Sequence, residues 1–150
     1  MPYCIDQSIK IEDTSRTTYV CLANDQTLIA SISAKEKRVL KLYFRELDRQ
    51  LIFRLFTFSV LCATLIFKAR PSSIIIDKEY HGHEINIKSF IVQILLVWNM
   101  PVSQLHVAFE EIGKGSTAHI AGYKAFRNKE KGEIITAKKV LILYNLMDKA

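Results

Sequence analysis

The chain has 150 residues, a formal net charge of +6, and 49% hydrophobic and 24% charged residues. Only five glycines and three prolines are present, which excludes a collagen-like or low-complexity chain and favours one globular domain over residues 1–150. The basic balance favours a polyanion partner or an anionic membrane surface. Three widely spaced cysteines, Cys4, Cys21 and Cys62, predict free thiols and a cytoplasmic setting rather than a zinc ribbon.

The first third of the chain has the patterns of three short strands. In "YCIDQSIKIED", Ile9 and Ile11 alternate with polar residues, which predicts a strand that runs through this segment. "TTYVCLA" predicts a second strand, "NDQ" a turn and "TLIASIS" a third strand. Short connections between them predict an antiparallel meander.

A helical pattern begins at Ser33, which is placed to cap a helix with Glu36 three residues later. The pattern continues to about Ala69, before Pro71, as one long helix or as two helices with a bend. Its apolar positions recur at helical spacing: Val39, Leu40, Tyr43, Phe44, Leu47 and Leu51.

The second half of this helical region is strongly apolar. Its uncharged run, Leu55 to Phe67, has 13 residues, whereas a membrane-spanning helix needs about 20. We therefore expect a buried core helix and no transmembrane segment. The alternative is an interfacial segment, Leu51 to Phe67, that docks on a membrane surface or a partner.

Strands and helices alternate in the rest of the chain. "SSIIID" predicts a fourth strand with both faces covered, and "HEINIKSFIVQILLVW" a helix. "QLHVAFEEI" predicts a last strand, and Ser116 caps a short helix. A final helix is predicted from Thr136. The element order is therefore β-β-β-α-β-α-β-α, with a further helix.

Acidic residues and histidines follow the fourth strand. Asp77 and Glu79 are two residues apart, so in an extended segment both project from the same face and repel each other unless a cation or basic group lies between them. The alternative is an ordinary solvated strand end. "HGHE", with His81, His83 and Glu84, suggests zinc superficially, but the glycine favours a turn before a helix start.

This order of elements, with Asp6 on the first strand and Asp77 at the end of the fourth, resembles the ribonuclease H-like superfamily, which includes Holliday-junction resolvases. The resemblance implies an α/β domain with a mixed five-stranded sheet, three antiparallel strands followed by alternating helices and strands. It also implies that the first strand is central and parallel to the fourth. Asp6 and Asp77 would then meet at one edge of the sheet.

The resemblance further implies a metal-dependent nuclease or resolvase-like hydrolase that acts on DNA or RNA with Mg²⁺ or Mn²⁺. Asp6, Asp77 and Glu79 would be metal ligands, and the third carboxylate is open between Glu36, Glu46 and Glu79. His119, near the start of a late helix where relatives carry an aspartate or a histidine, would assist. The alternative is a nucleic-acid-binding or assembly module with the same fold and no catalysis. Homodimerisation is left open.

Basic residues mark two candidate nucleic-acid surfaces. One helix face carries basic residues at steps of three and four, and the C-terminal third is also basic. Near the second set, "GKGS" at a helix start is suited to contact a phosphate, although it is not a Walker motif. A solvated face is the alternative for both sets. The candidates are Arg38, Lys41, Arg45, Arg49, Lys114, Lys124 and Arg127.

Overall fold

A computed structural model describes residues 3–24, 26–113, 116–128, 130 and 132–148. These residues form an α/β structure with a mixed six-stranded sheet and five helices. The strands are β1 Tyr3–Ser8, β2 Thr18–Ala23, β3 Thr27–Ile32, β4 Ser73–Asp77, β5 His106–Glu110 and β6 Glu133–Ile134. The helices are α1 Ala34–Glu46, α2 Gln50–Ala69, α3 Glu84–Val97, α4 Thr117–Asn128 and α5 Ala137–Asp148.

The strand order in the sheet is β5-β4-β1-β2-β3-β6. The meander of β1, β2 and β3 is antiparallel, as expected, whereas β4 is parallel to β1 and β5 is parallel to β4. The expectation of five strands is wrong, because the two-residue strand β6 also pairs with β3. Gly132 permits this close approach: its φ is 56°, and a Cβ there would overlap the carbonyl of Ile29.

Strand β1 ends earlier than the alternation of isoleucines predicts. Ile9 has a φ of 66°, which turns the chain out of the sheet immediately after Ser8. Ile11 is fully buried, but its backbone N–H donates to the hydroxyl of Tyr80 rather than to a strand. The alternation of Ile9 and Ile11 with polar residues therefore reflects a turn in which Ile11 is buried, and not a longer strand.

The helical region is two helices. Ser33 caps α1 by accepting a hydrogen bond from the backbone N–H of Glu36, as expected. The chain then breaks at Asp48, whose φ is 56°, before α2 begins. Helix α2 is long and apolar enough to cross a membrane by length and composition, but 72% of its most apolar window is buried inside the protein. It is a core helix, as the sequence predicted.

Two layers cover the sheet unequally. The main core lies between one face of the sheet and the helices α1, α2, α3 and α5. On the other face, α4 packs over β1, β2 and β3, where Tyr19 and Cys21 are buried. Strand β4 was expected to be covered on both faces, which is wrong: Ile74 and Ile76 face the main core, whereas Ile75 is only half-buried. None of the three cysteines forms a disulfide.

Candidate metal centre

Three carboxylates converge where β1 and β4 end. The parallel register pairs Ile5 with Ile76, so the next residue on each strand, Asp6 and Asp77, stand side by side. Glu79 follows two residues after Asp77. One carboxylate oxygen from each of these three residues lies within 4.8 Å of the others. The structure thus brings together two strand ends that are distant in sequence, together with one of the three candidate glutamates.

Asp6 is held in place from two directions. Its side chain is buried and its residue is only 4% exposed. Oδ1 accepts a hydrogen bond of 2.8 Å from the backbone N–H of Gln7. Oδ2 lies 2.8 Å from Nδ1 of His119, so an ionised Asp6 accepts a hydrogen bond from that ring nitrogen. Because His119 belongs to α4, this contact also joins the carboxylate to the helix above the sheet.

The start of α4 sets the position of His119. Ser116 accepts a hydrogen bond of 3.0 Å from the backbone N–H of His119, which is the capping interaction that the sequence predicted. This cap fixes the first turn of the helix, and the His119 side chain remains 40% exposed. The imidazole therefore lies between a buried carboxylate and solvent.

Asp77 is oriented by the segment that follows the neighbouring strand. Its Oδ1 accepts a hydrogen bond of 2.6 Å from the backbone N–H of Ile112. The side chain lies at the open end of β4, and β5 continues beside it with Glu110 in register. A backbone donor thus fixes the orientation of the Asp77 carboxylate.

Burial and crowding keep a proton in the cluster. Desolvation, followed by the hydrogen bonds to Asp77 and Asp6 and the charges of both groups, raises the pKa of Glu79 to about 9. Desolvation also raises the pKa of Asp6, although the hydrogen bond from His119 opposes that effect. At neutral pH, Glu79 is therefore protonated and donates to its acidic neighbours, which relieves the repulsion between the carboxylates.

The other two candidate glutamates are not brought to this cluster. Glu36 lies in the first turn of α1, where its Oε1 accepts a hydrogen bond of 3.1 Å from the backbone N–H of Ala137. Glu46 is exposed at the last residue of α1. Both glutamates belong to a helix that packs on the opposite face of the sheet from α4. Among the three alternatives for the third carboxylate, the structure places only Glu79 beside Asp6 and Asp77.

The histidines of "HGHE" also lie apart from the carboxylates. His81 is exposed in a turn around Gly82, whose φ is 85°, and His83 immediately precedes α3. Glu84 is the first residue of that helix, as expected for an acidic residue near a helix N-terminus. In the described part of the chain, the residues placed to hold an ion together are Asp6, Asp77 and Glu79 alone.

The candidate nucleic-acid residues occupy both sides of the sheet. Arg38, Lys41, Arg45 and Arg49 belong to α1 and to the residues just after it; Arg38 donates to the carbonyl of Thr14, and Arg49 to the hydroxyl of Tyr144. Lys124 and Arg127 are exposed on α4, the helix that carries His119. Lys114 lies outside the described residues.

Sequence reasoning missed three residues that support the cluster. Tyr80 is 4% exposed and Gln7 7% exposed, and the Tyr80 hydroxyl lies 3.4 Å from Oε1 of Gln7. Lys10 lies against the backbone of Glu79. Each of these residues lies within four positions of Asp6 or Glu79, and this proximity is the signal that the sequence contains. Hydrophobic periodicity does not identify residues of this kind.

Comparisons with known protein families, curated proteins and solved structures found no match for this chain. What the cluster is able to bind is therefore inferred from the chemistry of its own side chains. Carboxylate oxygens are the ligands that Mg²⁺ and Mn²⁺ prefer. A divalent cation held by Asp6, Asp77 and Glu79 would offset the repulsion between their carboxylates.

Proposed function

We propose that this protein is a metal-dependent nuclease or resolvase-like phosphodiester hydrolase of the ribonuclease H-like superfamily, acting on DNA or RNA in the cytoplasm. The observation that carries the proposal is the convergence of Asp6, Asp77 and Glu79 within 4.8 Å at one edge of the sheet. The resemblance to the superfamily implies that the two aspartates meet in this way.

The strand order supports the same proposal. The superfamily resemblance implies a central first strand that is antiparallel to the second and parallel to the fourth. Here β1 lies between β2 and β4 with those two orientations. The short strand β6 is an addition at the far edge beside β3, away from the carboxylates.

The donor set fits a hard divalent cation. Asp6, Asp77 and Glu79 would hold it, and the proton of Glu79 would leave as the cation enters, because the two compete for the same oxygens. When bound, Mg²⁺ or Mn²⁺ would activate a water molecule and stabilise the negative charge that develops during phosphodiester hydrolysis.

The protein side chains supply orientation and proton control. The backbone N–H groups of Gln7 and Ile112 fix the carboxylates of Asp6 and Asp77. His119 donates from Nδ1 to Asp6 and keeps Nε2 to accept from a water molecule. The arrangement lets one imidazole both orient a ligand and take part in proton transfer.

The test compares wild type with Asp77→Asn on branched DNA, duplex DNA and an RNA–DNA hybrid, each with Mg²⁺ or Mn²⁺. Asparagine keeps an oxygen that can accept from the Ile112 N–H, so the fold should survive while the ligand charge is lost. Glu110→Gln is the matched control, since it removes an exposed acidic charge on the adjacent strand.

Cleavage by wild type and by Glu110→Gln, but not by Asp77→Asn, supports the hydrolase. No cleavage by wild type on any of the three substrates with either metal would contradict it. Binding of nucleic acid without cleavage by all three proteins would instead support a module that does not catalyse. One observation favours that second function: Glu36 is bound to the start of α5, so the cluster has three carboxylates and a histidine.

A further inference from the structure

The turn after β1 has a strained backbone. Ile9 has a φ of 66°, in the left-handed region, where a β-branched residue is a rare outlier. Such strain persists only where the surrounding structure enforces it, and it is concentrated at functional sites. The turn begins three residues after Asp6, so its geometry determines which side chains lie next to the carboxylate cluster.

Tyr80, which lies three residues after the end of β4, holds this turn in place. Its hydroxyl accepts a hydrogen bond of 3.2 Å from the backbone N–H of Ile11 and lies 3.3 Å from a carboxylate oxygen of Glu12. Its ring packs against Phe58 of the core helix. Because Tyr80 directly follows Glu79, the same short segment fixes both a carboxylate of the cluster and the turn beside it.

The strained turn places Lys10 against that segment. The Lys10 Nζ lies 3.4 Å from the carbonyl oxygen of Glu79 and 5.8 Å from the centre of the Tyr80 ring. Both of these partners are uncharged. The side chain is exposed, and within the described residues it forms no ion pair. The Lys10 ammonium therefore lies against the backbone of Glu79, one residue of the cluster, and no ion pair with a described residue neutralises it.

We propose that Lys10 is the residue that contacts the phosphate of the nucleic-acid substrate next to the carboxylate cluster. The proposal rests on the hydrolase function above. A cluster of carboxylates repels a phosphodiester, and a cation at its rim offsets that repulsion. The lysine ammonium is a compact point charge with three donors, which suits a phosphate oxygen. The contact with the Glu79 carbonyl holds the ammonium near this rim before substrate arrives.

The test measures Mn²⁺ affinity, nucleic-acid binding as a function of salt, and kcat/KM for Lys10→Gln, Lys10→Arg and the control Lys138→Gln. Lys138 is an exposed lysine on α5, and its substitution changes the net charge by the same amount. Binding is measured in Ca²⁺, so that it is observed separately from cleavage.

For Lys10→Gln we expect kcat/KM to fall about ten- to a hundredfold, the range for losing one charge-assisted hydrogen bond. The slope of log affinity against log salt should fall by about one, and Mn²⁺ affinity should stay within about twofold of wild type. Lys10→Arg should recover part of the loss. If Lys10→Gln instead matches Lys138→Gln in both kcat/KM and salt slope, the proposal is overturned.

The outcomes separate this proposal from the proposed function. If wild type binds nucleic acid but does not cleave it, hydrolysis is contradicted while the salt slopes still decide the role of Lys10. If wild type does not bind at all, both proposals fail. Ile9→Gly provides a second variant, because glycine tolerates the left-handed conformation without fixing it. We expect folding to be retained and kcat/KM to fall; full activity with a loosened turn would contradict the need for this geometry.

Discussion

Glu79 is the residue of the carboxylate cluster that holds a proton at neutral pH. Its pKa is raised to about 9 from an ordinary 4.5, first by desolvation and then by its two acidic neighbours. The spacing of Asp77 and Glu79 in the sequence predicts that their charges repel each other unless something intervenes. It does not predict that Asp6 joins them, because that contact depends on how two distant strands pair.

The stability of the metal-free protein should fall as the pH rises from about 5 to 8. Folded Glu79 keeps its proton up to a pH near 9, whereas the unfolded chain releases it near 4.5, so the folded state binds more protons across this window. Urea unfolding with EDTA measures the change. Glu79→Gln should flatten the profile, and an unchanged slope in that variant would contradict the assignment of this proton.

Binding of Mn²⁺ at pH 7 should release about one proton per protein molecule, because the cation replaces the proton of Glu79. Calorimetric titration in buffers that differ in ionisation enthalpy measures this number. Glu79→Gln serves as the control, since it cannot release a proton at that position. Equal proton release by the variant and by wild type would show that the proton comes from another group.

His119→Asn should weaken Mn²⁺ binding about ten- to a hundredfold, because the ring orients Asp6 from the second layer of the site. Asparagine keeps a donor but is shorter than the imidazole. His106→Asn, on the exposed end of β5, is the matched control and should leave the affinity unchanged. Equal Mn²⁺ affinities for the two variants would rule out an orienting role for His119.

At the scale of elements, Lys37 links α1 to the loop between β1 and β2. The residue is fully buried, and its ammonium donates to the carbonyl of Asp13 and, at 2.9 Å, to the hydroxyl of Thr18. Desolvation lowers its pKa to about 8. Helical periodicity contains this signal, since Lys37 precedes Leu40 by three residues and shares its buried face, but a lysine at such a position is ordinarily expected in solvent.

Lys37→Ala should lower the free energy of unfolding by about 2–4 kcal/mol, through the cavity and the orphaned acceptors it leaves. Lys35→Ala, at an exposed position of the same helix, should change it by less than about 0.5 kcal/mol. Chemical denaturation of the two variants gives the comparison. Equal stability of the two would mean that the ammonium of Lys37 contributes nothing to holding the loop.

Local patterns predicted most elements, and they failed where a backbone conformation or a very short pairing decided the outcome. The β-branched run before Asp77 and the caps Ser33 and Ser116 identified β4, α1 and α4. Nothing in the residue type of Ile9 indicates a left-handed turn. The two residues of β6 are too few to form a pattern, and their pairing depends on the close approach at Gly132.

At the scale of the whole molecule, positive charge is divided between the two faces of the sheet. Lys124 and Arg127 lie on α4, on the face that carries Asp6 and His119, whereas Lys41 and Arg45 lie on α1 behind the opposite face. The sequence indicates both sets as candidate nucleic-acid surfaces. It could not say which set stands on the same side as the carboxylates, since that depends on which face each helix covers.

The double variant Lys124→Gln/Arg127→Gln should therefore weaken nucleic-acid binding more than Lys41→Gln/Arg45→Gln, although each removes one lysine and one arginine. We expect the first to reduce the salt slope by about two and the second to leave it nearly unchanged. Fluorescence anisotropy across a salt series measures both slopes. The reverse ranking would place the nucleic acid on the α1 side.

The hydrogen bond between Asp6 and His119 has a consequence for choosing an inactive reference protein. Asp6 is buried and its hydrogen bond to His119 joins the first turn of α4 to β1, so a substitution there removes a structural contact as well as a candidate metal ligand. A loss of activity in an Asp6 variant would have two explanations, the missing carboxylate and a displaced α4. Asp77 accepts hydrogen bonds from the backbone N–H of Ile112 and from Glu79, and asparagine keeps an oxygen for the first of these, so Asp77→Asn is the better inactive reference for the proposed hydrolase.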